Sequence, residues 1–333
     1  MQARRVGPFS VSALGLGCMN LSHAYGTPPV PEAAEAPLLR ALDRGINFFD
    51  TAALYGFGAN ETLLGRVLRS HRSKIVLASK GGMTGIAGRR VIDGLPQSLK
   101  RDCEGSLQRL QTDVIDLYYL HRWDKQVPIE DSVGALADLV RAGKIKTIGL
   151  SEVSAPTLRR AHAVHPIAAL QSEYSLWTRE PEIATLKACR ELGTAFVAFS
   201  PLARAFLTGT LRDPQAELEA GDIRHQMPRF EPANYAKNLD LLPEYQRIAN
   251  EVHCTPAQLA LAWLLAQGED VIPIFGTRNP QHFDENAGGA AVTLDRHIIE
   301  RLDTLINRQT VAGPRYNGAT RSEVDTEQFL VEA

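Results

Sequence analysis

Apolar segments of strand length alternate with helical segments eight times along this chain, and this alternation restricts the fold more than any other feature of the sequence. The predicted strands are, in chain order, 13–19, 46–50, 74–80, 113–121, 145–152, 168–174, 194–202 and 270–278. Strands that are apolar throughout are typical of a parallel sheet that helices cover on both faces. Eight such units with no compositional break predict a closed (β/α)8 barrel, a TIM barrel, forming a single domain over residues 1–333.

Three segments depart from this repeat. The first residues, RRVGPFSVS, predict a β-hairpin that turns at Gly7-Pro8 and could close the floor of the barrel. The connection after the seventh strand, residues 203–241, is long, polar and interrupted by Pro and Gly, which is typical of a functional lid or of a disordered segment. The C-terminal tail, 308–333, shows little periodicity, so it either docks across the barrel mouth or frays.

The overall composition argues against several classes of partner. The formal net charge of −2 gives no field that would favour nucleic acid or an anionic membrane, and no apolar run is long enough to span a bilayer. The N-terminal residues lack the continuous apolar stretch of a signal peptide. The four cysteines are scattered without metal-ligand spacing. We therefore expect a cytoplasmic protein with no metal site, no membrane contact and no nucleic-acid partner.

Chemically active side chains follow three successive predicted strands. Asp50, Lys80 and His121 each end a strand, and Tyr55 lies five residues beyond Asp50. Active sites of such barrels lie at these carboxyl ends. An ammonium close to a phenol lowers its pKa, and a carboxylate would balance a buried lysine, so the group could act as an acid toward a carbonyl that the histidine orients. A buried ion pair, a loop tyrosine and a core histidine would explain the same residues, and spacing alone does not separate the two interpretations.

No common nucleotide-binding motif is present. The segment GLGCMN carries Asn20 where a dinucleotide fingerprint needs its third glycine, and no Walker motif is complete. Gly276, Thr277 and Arg278 precede Asn279-Pro280 at a predicted helix start, where a hydroxyl, a guanidinium and free amides would suit a phosphate. Taken alone, a capped loop with a solvated arginine explains this last segment better.

Nine segments, in order, resemble those of the aldo-keto reductases. They are GLGCMNLS, FFDTAALYG, NETLLG, ASKGG, DVIDLYYLHR, IGLSEVS, ALQSEYSLW, FSPLARAFLTG and PIFGTRNPQHFDEN. The forms GLGCM, GLSE and QSEYSLW look most like the bacterial, plant and fungal branch that includes pyridoxal-type and perakine-type reductases.

The resemblance implies a catalytic tetrad at Asp50, Tyr55, Lys80 and His121, with Tyr55 as the general acid. It also implies NADPH, bound across the barrel mouth without a Rossmann domain. The residues that the resemblance assigns to the cofactor are Ser151, Glu152 and Gln171 for the nicotinamide amide, Phe199 for ring stacking, Ser200, Leu202 and Arg204 for the pyrophosphate, Gly276, Thr277 and Arg278 for the 2′-phosphate, and Glu285 and Asn286 for the adenine.

Some positions differ from the family pattern. Glu152 stands where Asn is widespread, although that exchange looks usual in this branch. Phe199 replaces the commoner tyrosine, and a phenyl ring still stacks. His282 stands where NADPH-preferring members commonly carry Arg, which predicts weaker discrimination against NADH. Trp123, Met19 and Tyr174 are the predicted walls of the substrate pocket; for the two aromatic residues, packing on neighbouring elements is the alternative.

The resulting hypothesis is NADPH-dependent reduction of aldehydes, and of some ketones, to alcohols. A non-catalytic NADPH-sensing subunit is one alternative, because potassium-channel β-subunits resemble the same family. A Schiff-base lyase that uses Lys80 as a nucleophile is another, less favoured by the matched cofactor segments. The partner is then a small carbonyl compound, while the physiological substrate and the oligomeric state, homo-oligomers included, stay open.

Overall fold

The chain forms a closed barrel of eight parallel strands, as predicted. The computed structural model describes residues 1–86 and 89–329. The barrel strands, in the order in which they pair, are β3 (Gly15–Gly17), β4 (Phe48–Asp50), β5 (Val76–Gly81), β8 (Ile115–Leu120), β9 (Ile145–Ser151), β10 (Ile167–Glu173), β11 (Ala195–Phe199) and β12 (Val271–Phe275). β12 pairs with β3 and closes the ring, so that all eight carboxyl ends lie at one mouth.

Helices follow the barrel strands. They are α1 (Pro31–Asp43), α2 (Ala59–Leu68), α3 (Pro96–Leu110), α4 (Ile129–Arg141), α5 (Ala155–Val164), α6 (Thr185–Leu192), α7 (Pro214–Glu217), α8 (Pro232–Leu239), α9 (Leu242–Glu251), α10 (Pro256–Ala266), α11 (Pro280–Gly288), α12 (Arg296–Leu305) and α13 (Gly318–Ser322). Several begin with proline, whose fixed φ and missing N–H suit a first turn. In the part of the chain that the structure describes, no helix is long and apolar enough to cross a membrane.

The strands bury both faces, which explains their continuous hydrophobicity. In β8, Leu117 and Tyr119 belong to the cluster that fills the barrel interior, whereas Tyr118 and Leu120 pack into the layer between barrel and helices. Successive side chains of a strand point to opposite faces, so a strand between two apolar layers needs apolar residues throughout.

The N-terminal hairpin closes the barrel floor, as expected. It pairs β1 (Ala3–Val6) with β2 (Phe9–Ser12). Val6 and Val11 pack into the interior cluster, and the buried Arg4 donates to the carbonyls of Leu265 and Gly268 at 2.7 Å. The opposite end of the barrel is therefore the accessible one.

Three local features were not predicted from the sequence. A second hairpin, β6 (Met83–Ile86) with β7 (Arg89–Ile92), lies between β5 and α3, where the sequence showed no strand. Short 3-10 and α-helices occupy much of residues 203–241, and prolines start several of them. Asn60, in the first turn of α2, is buried, accepts from Thr51 Oγ1 at 2.6 Å and donates to the carbonyl of Cys18 at 2.8 Å.

The C-terminal tail docks across the carboxyl ends of the strands through residue 329. Asp325 forms a bridge with Val153, immediately beyond β9, and Lys125 donates to the carbonyls of Ser322 and Val324. Residues 330–333 of the predicted tail lie outside the described part of the chain.

Candidate active site

Four predicted site residues meet at the barrel mouth. Asp50 ends β4, Lys80 lies near the end of β5, His121 directly follows β8, and Tyr55 begins a 3-10 turn after β4. All four are buried, with Tyr55 8% and His121 5% exposed. The parallel barrel produces this meeting, since neighbouring strands end at the same rim.

Lys80 is the centre of the group. Its ammonium donates to Asp50 Oδ1 at 2.5 Å, to the carbonyl of Thr51 at 2.9 Å and to the hydroxyl of Tyr55 at 3.1 Å. Gln171 Nε2 donates to the second oxygen of Asp50 at 2.7 Å. Every donor of the ammonium is therefore satisfied, and its orientation toward Tyr55 is fixed.

The buried ion pair keeps Lys80 charged. Burial lowers the pKa of this lysine, but Asp50 and Tyr55 outweigh burial, so its pKa lies above the ordinary value. Burial raises the pKa of Asp50, with Lys80 and Gln171 opposing the rise. We assign the pair as ammonium and carboxylate, because the short hydrogen bond between them is charge-assisted.

The pKa of Tyr55 differs from the sequence expectation. Burial raises it above its ordinary value, and Lys80 opposes this rise without reversing it. The effect of Lys80 therefore has the expected direction, but desolvation of the phenol is larger. The hydroxyl is a protonated donor at neutral pH, which is the form that proton donation requires.

His121 provides a neutral imidazole. Burial lowers its pKa well below the usual range, and the charges of Arg122 and Lys80 lower it further. Its ring lies 5.8 Å from that of Tyr55 in an edge arrangement, and its Nδ1 atom is buried without a hydrogen-bond partner in the described chain. A small polar group at this mouth can accept from Tyr55 and contact the imidazole.

Apolar and aromatic side chains pack against Tyr55. Tyr55 packs in a small cluster with Leu54 and Met83, and Met19 lies against this cluster. His23, which the sequence analysis missed, stacks on the Tyr55 ring at 6.1 Å. Histidine in a loop carries no periodicity, so only its place just beyond β3 could have suggested this position.

The two predicted aromatic walls lie elsewhere. Trp123 donates through Nε1 to the carbonyl of Val127 at 2.9 Å, and Arg160 of α5 lies over its ring, so it packs on its own loop and a neighbouring helix. Tyr174 is fully buried between Phe196 and Trp263. Both side chains therefore stabilise the layer outside the barrel and do not line the mouth.

Arg122 brings a second cation to the mouth. Its Nη1 atom donates to the carbonyl of His121 at 2.7 Å and to Ser151 Oγ at 3.1 Å. It followed His121 directly in one of the quoted segments, but nothing in the sequence gave it a role.

The residues expected at the nicotinamide lie at the ends of three adjacent strands. Ser151 ends β9, Gln171 lies in β10 and Phe199 ends β11. Glu152 has a positive φ of 56°. The resemblance assigns it to the nicotinamide amide, but its carboxylate is already bound within the protein. One of its oxygens accepts from Ser172 Oγ at 2.7 Å and the other from Arg315 at 2.8 Å, so the protein itself engages both.

The segment expected at the pyrophosphate has an unusual backbone. Ser200, Ala203, Arg204 and Ala205 all adopt positive φ between 49° and 78°. Non-glycine residues rarely do so, and clusters of this kind occur at ligand sites, where successive amides can form a cradle for anions. The buried Arg204 pairs with Glu173 at 2.9 Å and donates to the Tyr25 hydroxyl at 3.1 Å.

The segment after β12 forms a capped helix start that carries a hydroxyl and a guanidinium. Asn279 caps α11 by accepting from the Gln281 amide at 2.8 Å, and Thr277 Oγ1 accepts from the Asn279 amide at 3.1 Å. The Arg278 guanidinium is oriented by the carbonyls of Thr27 and Tyr25. A helix start with a nearby arginine and hydroxyl favours an anion.

The remaining predicted cofactor residues, except Leu202, lie in or just before α11. Gly276 has no room for a side chain, because a Cβ there would lie 3.0 Å from the Gly17 carbonyl and 3.3 Å from Asn20 Oδ1. Asn20 Oδ1 is itself buried without a partner in the described chain. On α11, His282 is exposed, Glu285 is half-buried and Asn286 is buried. Leu202 is half-buried beside the strained segment.

These features fit an extended dinucleotide. The strained segment and the Arg278 helix start supply donors for phosphates, and the unpartnered atoms of Asn20 and His121 lie at the same rim. Among the described residues, no group of three or more metal-ligating side chains is present. The rim therefore has the chemistry of an organic phosphate site joined to a buried proton donor.

Comparison with known proteins agrees with this geometry. Residues 13–307 match the aldo/keto reductase family. The chain is 42% identical over 328 residues to the aldo-keto reductase yakc of Schizosaccharomyces pombe, whose name carries NADP(+), with 96% of each chain covered. It is 44% identical over 313 residues to the probable aldo-keto reductase 1 of Glycine max, covering 92% of this chain and 89% of the relative.

Two solved structures, both of oxidoreductases, are similar to this chain in fold. A glycerol dehydrogenase from Gluconobacter oxydans superposes with a TM-score of 0.85 at 26% identity, covering 94% of this chain and 97% of the other. An aldo-keto reductase from Bacillus halodurans, in its holo form, gives a TM-score of 0.78 at 27% identity, covering 92% and 97%.

Proposed function

Because this chain belongs to the aldo/keto reductase family, we propose that it reduces aldehydes, and some ketones, to alcohols with NADPH, and that Tyr55 is the proton donor. The observation that carries this proposal is the hydrogen bond of 3.1 Å from Lys80 to the hydroxyl of Tyr55, within a fully buried Asp50–Lys80 pair. A relative at 42% identity carries NADP(+) in its name, which supports the choice of cofactor.

The protein residues divide the work of proton transfer. NADPH, when bound, supplies the hydride for the carbonyl carbon. Tyr55 donates its proton to the carbonyl oxygen, and Lys80 stabilises the phenolate that remains. Asp50 acts as a positioning residue, because it holds the ammonium through a bond of 2.5 Å. The neutral His121 contacts the same carbonyl oxygen and orients it.

Cofactor recognition follows the rim of the barrel. Ser151 and Gln171 serve the nicotinamide amide, Phe199 serves its ring, and the strained segment 200–205 serves the pyrophosphate. Thr277 and Arg278 serve the 2′-phosphate, with Glu285 and Asn286 near the adenine. The exposed His282 contributes less to the phosphate than an arginine would, so we expect NADPH to be preferred over NADH by less than is usual.

The electrostatics disfavour the Schiff-base alternative. A nucleophilic lysine needs a neutral amine, which a lowered pKa provides. Lys80 has a raised pKa and gives all its donors to oxygen atoms of the chain. A cofactor-sensing subunit without turnover would share the same geometry, and only measured turnover separates it from an enzyme.

The test offers the protein aliphatic, aromatic and dicarbonyl substrates together with NADPH or with NADH. Reduction of the substrate is followed by the loss of absorbance of the reduced nicotinamide. We expect turnover of several aldehydes and a lower Michaelis constant for NADPH. Tight NADPH binding without turnover of any substrate would favour the sensing subunit. An equal or lower Michaelis constant for NADH would contradict the cofactor preference.

We also propose that the chain acts in the cytoplasm as one domain.

A further inference from the structure

One buried guanidinium from the C-terminal tail spans the ends of three adjacent barrel strands. Arg315 donates through Nη2 to Glu152 Oε2 at 2.8 Å, and its Nε atom lies 3.2 Å from Glu173 Oε2. Its guanidinium also lies 5.7 Å from the centre of the Phe199 ring. Glu152 follows β9, Glu173 ends β10 and Phe199 ends β11, so one side chain ties these three strand ends together.

Arg315, together with neighbouring arginines, keeps both carboxylates charged. The side chains of Glu152 and Glu173 are 0% and 6% exposed. Burial raises the pKa of Glu173, but Arg315, Arg204 and Arg229 outweigh burial and lower it to about 2. The pKa of Glu152 is likewise lowered, because Arg315 and Arg122 outweigh its burial. Both groups are therefore anions at neutral pH.

The tail has further contacts with the same rim. We call residues 313–329 the strap. Within it, the Asp325 amide donates to the carbonyl of Glu152 at 3.0 Å, and the Asp325 carboxylate accepts from Ser154 Oγ at 2.9 Å. Glu327 accepts from the Ala155 amide at 2.7 Å. These contacts attach the strap to the segment immediately beyond β9, while Arg315 attaches it to β10 and β11.

A second chain of contacts joins the strap to the segment after β11. Glu173 accepts from Arg204 at 2.9 Å as well as pairing with Arg315. Arg204 belongs to the strained segment that serves the pyrophosphate in the proposed function. Glu173 thus lies between Arg315 of the strap and Arg204 of the strained segment. If one guanidinium moves away, the carboxylate interacts more strongly with the other.

We propose that Arg315 is a positioning residue for the cofactor, and that closure of the strap over β9–β11 and binding of the nicotinamide half of NADP(H) stabilise each other. Arg315 holds the strap shut through Glu152 and Glu173, and lies close to the Phe199 ring. This inference rests on the proposed function for the identity of the cofactor and for the position of its nicotinamide half.

The direction of this coupling follows from charge. Without Arg315, two buried carboxylates face a site that must receive a dinucleotide with negative phosphates. The added repulsion weakens cofactor binding, and the strap loses its only contact to β10 and β11 among those described above. Lysine does not replace the arginine fully, because its point charge lacks the fork that reaches both carboxylates at once.

The test measures NADP⁺ binding by quenching of intrinsic fluorescence, together with hydrogen exchange in the strap, so that it does not depend on turnover. In the wild-type protein, we expect NADP⁺ to slow exchange in residues 313–329. For Arg315→Met, we expect the dissociation constant to rise roughly tenfold or more, with faster exchange in the strap. Arg315→Lys should recover part of this loss. Arg321→Met removes an exposed arginine from the same strap and should behave like the wild type.

Each other outcome contradicts the inference in a distinct way. Wild-type affinity in Arg315→Met, or strap exchange that NADP⁺ leaves unchanged, removes the coupling while the proposed function stands. Tighter binding in Arg315→Met means that the strap competes with the cofactor. A wild-type protein that binds no NADP⁺ removes the proposed cofactor and the coupling with it. If Arg315→Met does not fold, Arg315→Lys decides, since it keeps a positive charge but lacks the fork of the guanidinium; wild-type NADP⁺ affinity in Arg315→Lys would then contradict the inference.

Discussion

The ammonium of Lys80 donates a hydrogen bond of 3.1 Å to the hydroxyl of Tyr55, and both side chains are buried. The phenol therefore keeps its proton in the resting site, because burial raises its pKa, and yet its conjugate base would form beside a fixed positive charge. An acid that is stable until a carbonyl oxygen approaches is what the proposed reduction requires.

Single and double variants of the buried pair of Asp50 and Lys80 distinguish its contribution to stability from its contribution to catalysis. Asp50→Asn leaves the ammonium without its counter-ion and should cost about 3 kcal/mol of unfolding free energy, together with a loss of turnover of about 10² or more. The double variant Asp50→Asn/Lys80→Met removes both charges and should recover much of the stability but none of the turnover. Chemical denaturation and steady-state kinetics on both variants measure these effects. Recovered turnover in the double variant would show that Lys80 does not assist the acid.

The pH dependence of reduction should follow the protonation of Tyr55. Because its pKa lies above the ordinary value of about 10, the donor stays protonated through the neutral range. The rate of reduction should therefore stay constant from about pH 7 to about pH 9, and it should fall only at a pH above the ordinary tyrosine pKa of about 10. The reverse oxidation, which needs the phenolate, should rise over the same alkaline range. Rates for both directions under single-turnover conditions check this, and a reduction rate that falls through pH 8 would contradict it.

Cofactor preference should respond to the exposed first turn of α11. His282→Arg places a guanidinium where a 2′-phosphate is expected, so affinity for NADPH should rise severalfold to about tenfold while NADH is unaffected. Gln281→Arg is the matched control, since it adds the same charge at the adjacent exposed position. Dissociation constants for both cofactors distinguish the variants. An equal gain in Gln281→Arg would indicate a general field effect and not a contact at position 282.

The parts of the fold that the sequence predicts are those with strong periodicity. The eight strands are apolar on both faces and each precedes a helix, so their number and order were readable. The hairpin of β6 and β7 was not, because its segments MTGI and RRVI contain polar residues and glycine and so lack the continuous apolar run of the barrel strands. The helices within 203–241 are also short and half-exposed, which leaves little apolar periodicity to detect.

The site also has features that the sequence predicts and features that it does not. The parallel barrel brings strand ends together, so Asp50, Lys80 and His121 could be grouped from their positions alone. The sign of the Tyr55 pKa shift could not, because it depends on how deeply the ring is buried. Arg315 lies in a segment without periodicity and meets Glu152 across 163 positions of sequence, and no pattern signals a contact of that kind.

The central claim is that Tyr55 donates the proton, and Tyr55→Phe tests it most directly. The substitution removes one hydroxyl and keeps the ring that packs against His23 and His121. The measurement is hydride transfer from NADPH to an aldehyde in a single turnover, together with NADPH affinity by fluorescence. We predict a rate lower by about 10²-fold to 10⁴-fold with NADPH affinity unchanged. Hydride transfer near the wild-type rate in a variant that binds NADPH normally would contradict the claim.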